Sequence, residues 1–128
     1  MGATTIAAAG IAALGVLLTA LSLNVSRLRL RHRVSYGDGG HHDLLVAVRL
    51  HGNGLEQALL FAVLALAYAL LPGASRTFMA AATGVFVLAR TVQVVAVLSR
   101  WRRVRQTAHA VSTAVHLGLA LAIGAAVA

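Results

Sequence analysis

The first 26 residues carry no charged side chain, and arginines follow them at once. Thr4 to Leu23 alone would span roughly 30 Å as a helix, the thickness of a bilayer's hydrocarbon core. No basic segment precedes this run, and Arg27 onward stands where a stop-transfer signal has its charges. The run is therefore expected to be a retained membrane helix and not a cleaved leader. Its small residues, Ala7, Ala8, Ala9, Gly10, Ala12, Ala13 and Gly15, suit close helix packing in lipid. They serve equally well as plain apolar spacer.

Composition excludes the other classes. Apolar residues are 59% of the 128 and charged residues only 11%, where about a quarter is usual in soluble domains. A soluble domain of this size has too much surface to hide that apolar area. Disorder is excluded because there is abundant apolar area to bury. The expected fold is all-α: a single domain over residues 1–128, an integral membrane bundle of four transmembrane helices. The second helix is expected from about Leu44 to Leu71, stopped by Pro72-Gly73, with Asp43 as its cap. The third runs from about Ser75 to Leu98, and the fourth from about Gln106 to the C-terminus. Tyr36 to Asp43, with three glycines, reads as a turn.

Eleven arginines, no lysine and three acids (Asp38, Asp43, Glu56) give a net charge of +8. In a soluble chain this would suggest nucleic acid. Here Arg27, Arg29, Arg31 and Arg33, and then Arg100, Arg102, Arg103 and Arg105, flank apolar runs. That is the positive-inside pattern and not a phosphate groove, so no nucleic-acid partner is expected. Both basic loops are expected on the cytoplasmic side, with both termini on the other side. Trp101 belongs at the interface. With no cysteine, any thiol chemistry must use a thiol that a substrate brings.

The sharpest polar constellation is on the second helix: Arg49, Asn53 and Glu56. At about 100° per residue they fall at about 0°, 40° and −20°, on one stripe roughly 60° wide. A charge deep in a membrane helix costs about 2.5–3.5 kcal/mol or more, so the stripe must face a partner, a bundle interior or a wet cavity. One reading is an internal Arg49–Glu56 ion pair. The other is a ligand site near the cytoplasmic end of the bundle, with Arg49 holding a carboxylate as a fork, Glu56 an ammonium, and Asn53 bridging amides. Arg90 on the third helix either snorkels, pairs with Glu56 or extends this site together with Gln93.

Lesser clusters carry less. His41-His42-Asp43 are adjacent residues that do not converge on one ion, and no other clustered ligand accompanies them, so no metal site is expected. His51 points about 200° from Arg49. His109 and His116 share a face of the fourth helix and read as packing or hydrogen-bonded groups. Gly37-Asp38-Gly39-Gly40 lacks the lysine and hydroxyl of a phosphate loop.

Arg27-Leu-Arg-Leu-Arg-His-Arg-Val-Ser-Tyr-Gly-Asp-Gly-Gly, followed by Val-Arg49-Leu-His51-Gly-Asn53-Gly-Leu-Glu56, resembles the MAPEG family, membrane-associated proteins in eicosanoid and glutathione metabolism. The order R-x-x-x-N-x-x-E is that family's core pattern, and the GDGG loop is similar to its bacterial inner-membrane branch. The resemblance implies a homotrimer of four-helix subunits in the inner membrane. It implies glutathione held between subunits near the cytoplasmic face, with Arg49, Asn53, Glu56, Arg90 and Gln93 around it. In catalytic members an arginine near the start of helix four, with a nearby hydroxyl, stabilises the thiolate; Arg105 and Thr107 are nearest here. The chain departs from the catalytic branch at Gln93, where histidine is frequent, and at Val97, where tyrosine is. Gln57 replaces a common aromatic, and Gly52 a basic residue of some members. The binding stripe is kept better than the chemistry.

Three function classes follow. The first is a glutathione-binding membrane protein, acting as a transferase or peroxidase on lipophilic electrophiles dissolved in the bilayer. The second is a small proton-coupled transporter built on Glu56, although Arg49 beside it would hold that carboxylate ionised and spoil proton exchange. The third is a noncatalytic membrane scaffold.

Overall fold

The computed structural model describes residues 1–128 as four helices: α1 (Ala3–His32), α2 (His42–Ala69), α3 (Arg76–Leu98) and α4 (Arg102–Val127). All four are long and apolar enough to cross a membrane. The helix boundaries differ from the sequence reading wherever it used charge as the end of a helix. α1 continues through Arg27, Arg29 and Arg31, because arginine is a good helix former and no glycine or proline intervenes. Its basic last turn also complements the negative end of the helix dipole. It stops at Arg33, which takes a left-handed conformation (φ 55°) while Val34 N–H bonds back to the Arg29 carbonyl. α4 likewise starts at Arg102, four residues before the expected Gln106.

Asp43 is not the cap of α2. That position belongs to His41, and Asp43 lies inside the first turn. Its carboxylate accepts from the Leu44 N–H and, at 2.9 Å, pairs with His32 Nε2 at the end of α1. The His41 ring stacks on His32 at 3.8 Å. This cluster joins the C-terminus of α1 to the N-terminus of α2. At the opposite end, Pro72 and Gly73 (φ 76°) form the expected stop. Tyr68 hydroxyl accepts from Ser75 N–H, and Ser75 caps α3 through Phe78 N–H.

The helices pack as a ring in the order α1–α2–α4–α3. α2 and α3 touch across one diagonal, whereas α1 and α4 do not meet. The core is a ladder of small and aromatic residues. Phe61 and Phe86 stack with centroids 4.2 Å apart, flanked by Ala7, Leu14, Ala58, Ala65, Met79, Ala82 and Leu119. Large apolar side chains such as Val16, Leu59, Val63, Leu88, Leu117 and Leu121 stay on the outside, the distribution expected of helices with a lipid-facing surface.

The small residues of α1 divide by face. Ala7 and Gly10 are buried, whereas Ala8, Ala9, Ala12, Ala13 and Gly15 are exposed. Gly10 meets Thr83 of α3 so closely that a β-carbon there would collide with the Thr83 methyl. Gly15 has open space around it. Gly10→Val should therefore lower stability by about 1–3 kcal/mol through overpacking. Gly15→Ala should leave it equal or raise it by up to about 1 kcal/mol, through higher helix propensity. Thermal unfolding of the two variants in detergent reads the difference.

Candidate functional site

The ends of α2, α3 and α4 that carry the basic clusters enclose a cleft of about 790 Å³. α2 contributes His42, Leu45, Val46, Arg49, Leu50 and Asn53. α3 contributes Gln93, Ala96 and Val97. The turn and first helical turns of α4 add Arg100, Trp101, Arg102, Arg105, Gln106 and His109. Four of the seven residues singled out from the sequence meet here: Arg49, Asn53, Gln93 and Arg105. They come from three helices and are up to 56 positions apart in the chain (105 − 49). Helical periodicity accounts for the α2 part of the wall. Arg49 and Asn53 are one turn apart, and Leu45 and Val46 precede them on the same side.

The wall is electrostatically one-sided. It holds four arginines and no carboxylate. The N-terminus of α4 lies in it as well, with no side-chain cap and no acid in its first turn. Free N–H groups at a helix N-terminus favour negative charge. The arginines Arg102, Arg103 and Arg105 sit at that end against the dipole. An anionic group in the cleft would offset both.

The remaining candidates lie elsewhere. Glu56 is exposed on the outer face of the subunit and does not line the cleft. It forms no ion pair with Arg49 or with Arg90; the single ion pair is His32–Asp43. Arg90 does not snorkel either. It is 2% exposed, and its guanidinium donates to Asn53 Oδ1 at 3.0 Å. It lies beside Leu14, Leu17, Leu18 and Leu21 of α1, behind the cleft wall. Thr107 faces away from the cleft, and its hydroxyl donates to the Arg103 carbonyl at 3.0 Å.

Two details escaped the sequence reading: the entry of Arg100 and Arg102 into the cleft, and the partner of His116. Arg100 and Arg102 enter the cleft because the turn after α3 is tight, with Arg100 at φ 59° and Trp101 N–H bonded back to the Ala96 carbonyl. Such a reversal has no signal in a glycine-free turn. The second is the pairing of His116 with the Gln57 backbone carbonyl at 3.2 Å, against the Phe86 ring. It fixes α4 to α2 below the cleft and matches the hydrogen-bonded role expected of that histidine.

The chain is 51% identical over 41 residues to the inner membrane protein YecN of Escherichia coli strain K12, and equally to YecN of Escherichia coli O6:H1. That match covers 32% of this chain and 31% of the relative's length. No solved structure matches the chain. The sequence profile of the MAPEG family matches residues 7–125, almost the whole of the four-helix fold, and the chain belongs to the MAPEG family.

Proposed function

We propose that this protein is a multi-pass protein of the bacterial inner membrane that binds glutathione in the cleft between α2, α3 and α4. The observation that carries the reading is the makeup of that wall: four arginines, Asn53 and Gln93 with no acid among them. Glutathione offers two carboxylates, two peptide amides and a thiol. Arg49 fits a carboxylate as a bidentate fork. Gln93 is 6% exposed, and its Oε1 is buried with no hydrogen-bond partner. A peptide N–H would satisfy it. Leaving a buried acceptor unsatisfied costs about 1–3 kcal/mol, so occupation by a peptide is favoured.

The chemistry proposed is transfer of the glutathionyl group to, or reduction of, a lipophilic electrophile. In transfer, the sulfur lone pair attacks the electrophilic carbon and displaces its leaving group, and the thiol proton is released. Arg105 on the wall is the cation that raises the thiolate fraction by lowering the thiol's pKa. Thr107 takes no part in this arrangement, because its hydroxyl is bonded to the helix backbone. Apolar Leu45, Val46, Ala96 and Val97 on the same wall suit a lipid-soluble second substrate.

The proposed assembly is a homotrimer. Arg49 and Glu56 are exposed on a single subunit. Glu56 lies fourteen residues into α2, about 21 Å along the helix axis. At that depth a carboxylate facing lipid is costly, and a neighbouring copy would cover it.

Thermal stability in detergent with millimolar glutathione tests binding. Ligand at a hundredfold excess over Kd should raise wild-type stability by about 2.7 kcal/mol, and Arg49→Ala should lose the shift while remaining folded. Absence of a shift in the wild type would reject the reading. For Arg105, the thiolate absorbance of bound glutathione is decisive. Arg105→Leu should move the bound thiol's pKa toward the free value of about 8.5, with transfer to an aryl halide falling in parallel. Orientation is checked with C-terminal reporters. A periplasm-active fusion should be on and a cytoplasm-active fusion silent.

A further inference from the structure

We infer that buried Arg90 is a positioning residue that locks the Asn53 amide with its oxygen turned inward and its NH2 group on the cleft side, making Asn53 an obligate donor to an anionic ligand. The inference deepens the proposed function in that it assigns Asn53 to the ligand's carboxylate end. It does not need that ligand to be glutathione.

Arginine has five N–H donors and no acceptor. Whichever atom of Asn53 faces Arg90 at 3.0 Å must therefore be the carbonyl oxygen. The amide orientation follows from the chemistry of the partner and is not a matter of choice. Asn53 lines the cleft, whereas Arg90 lies on the far side of that wall, lining a small void with Leu14, Leu18 and Gly54. With the oxygen held inward, the amide nitrogen is left for the cleft.

Arg90 is also an uncompensated charge. It is 2% exposed, it has no carboxylate partner, and its Nη1 is buried without a hydrogen bond. A charge in a poorly solvated site acts over a longer range than one in water. Behind Asn53 it polarises the amide further toward donation and adds to the positive potential of a wall that already holds four arginines. An ion pair between Arg90 and Glu56 would have cancelled this. The register of α2 against α3 instead presents Asn53, one helical turn earlier.

The free Nη1 supplies the test. In Asn53→Asp the carboxylate has an oxygen for Nη2 and one for Nη1, a bidentate pair in place of one bond. Ligand-free thermal stability in detergent should rise. In an Arg90→Met background the same Asn53→Asp change should lower stability, since the carboxylate then has no counterion. This reversal of sign is specific to the lock. Anion affinity is read separately with inorganic sulfate and with glutathione. Asn53→Asp should weaken sulfate binding at least tenfold, because an acceptor replaces a donor. Arg90→Met, which leaves Asn53 intact, should weaken it severalfold. The inference is overturned if Asn53→Asp destabilises the wild type, if its effect has the same sign in both backgrounds, or if sulfate affinity is unchanged in either variant. Should the wild type bind sulfate and not glutathione while the variants behave as stated, the lock stands and the glutathione reading fails.

Discussion

A bilayer tolerates charge at its surfaces or inside a protein, and almost nowhere else. The architecture of this chain follows from that constraint. Eight of eleven arginines are gathered at one end of the bundle, in the last turns of α1, the turn after α3 and the first turns of α4. Because the helices alternate in direction, those segments lie at the same end of the bundle. The same segregation that makes the chain insertable places Arg100, Arg102 and Arg105 of the second cluster beside Arg49 around one cleft. Arg76 alone stands at the other end, and only Arg49, Arg90 and Glu56 lie in the middle of a helix, away from its end turns. The three are placed differently: Arg49 opens into the cleft, Arg90 donates to the half-buried Asn53 amide, and Glu56 is left without a partner on the outer face of the subunit.

Much of this was legible in the sequence, because length and apolarity alone determine how many times such a chain can cross a membrane. The errors fell at the ends. Charge does not mark where a helix unwinds, so α1 and α4 carry their arginines within helical turns. The α2 stripe was legible too, since angular spacing within one helix is arithmetic. What lies between helices was not. Whether Arg90 meets Glu56 or Asn53 depends on a register of one turn between α2 and α3, the register in which Phe61 stacks on Phe86. No residue pattern encodes that offset. Thr107 is the instructive case. It stands two residues after Arg105, about 200° around the helix, so the two were never able to line one wall, and periodicity already held that answer.

The local energetics at the start of α4 point toward an anion from a different direction. A helix N-terminus carrying Arg102, Arg103 and Arg105, with no acidic residue and no capping side chain, sets like charge against the positive end of its dipole. A stability-optimised helix would have aspartate or glutamate there. Arginines in that place are intelligible if a negative ligand spends time beside them, since it satisfies the free N–H groups and the guanidinium groups together. The mirror arrangement at α1, where arginines complement a C-terminus, needs no such ligand and forms no cleft.

The cleft's one-sidedness then bears on assembly. A zwitterionic peptide has an ammonium as well as carboxylates, and a wall without a carboxylate offers a counterion to only one of its poles. Glu56, the sole acid well inside a helix, lies on the outer face of the same subunit with no partner of its own. The two deficits are complementary. If copies pack so that the outer face of one α2 closes the cleft of its neighbour, Glu56 gains cations and is removed from lipid, and the ligand's ammonium gains its counterion. In that arrangement no subunit would complete the site alone. In the proposed trimer, binding and association would therefore stabilise one another, because the carboxylate that is costly in a lone subunit becomes a contact in the assembled one.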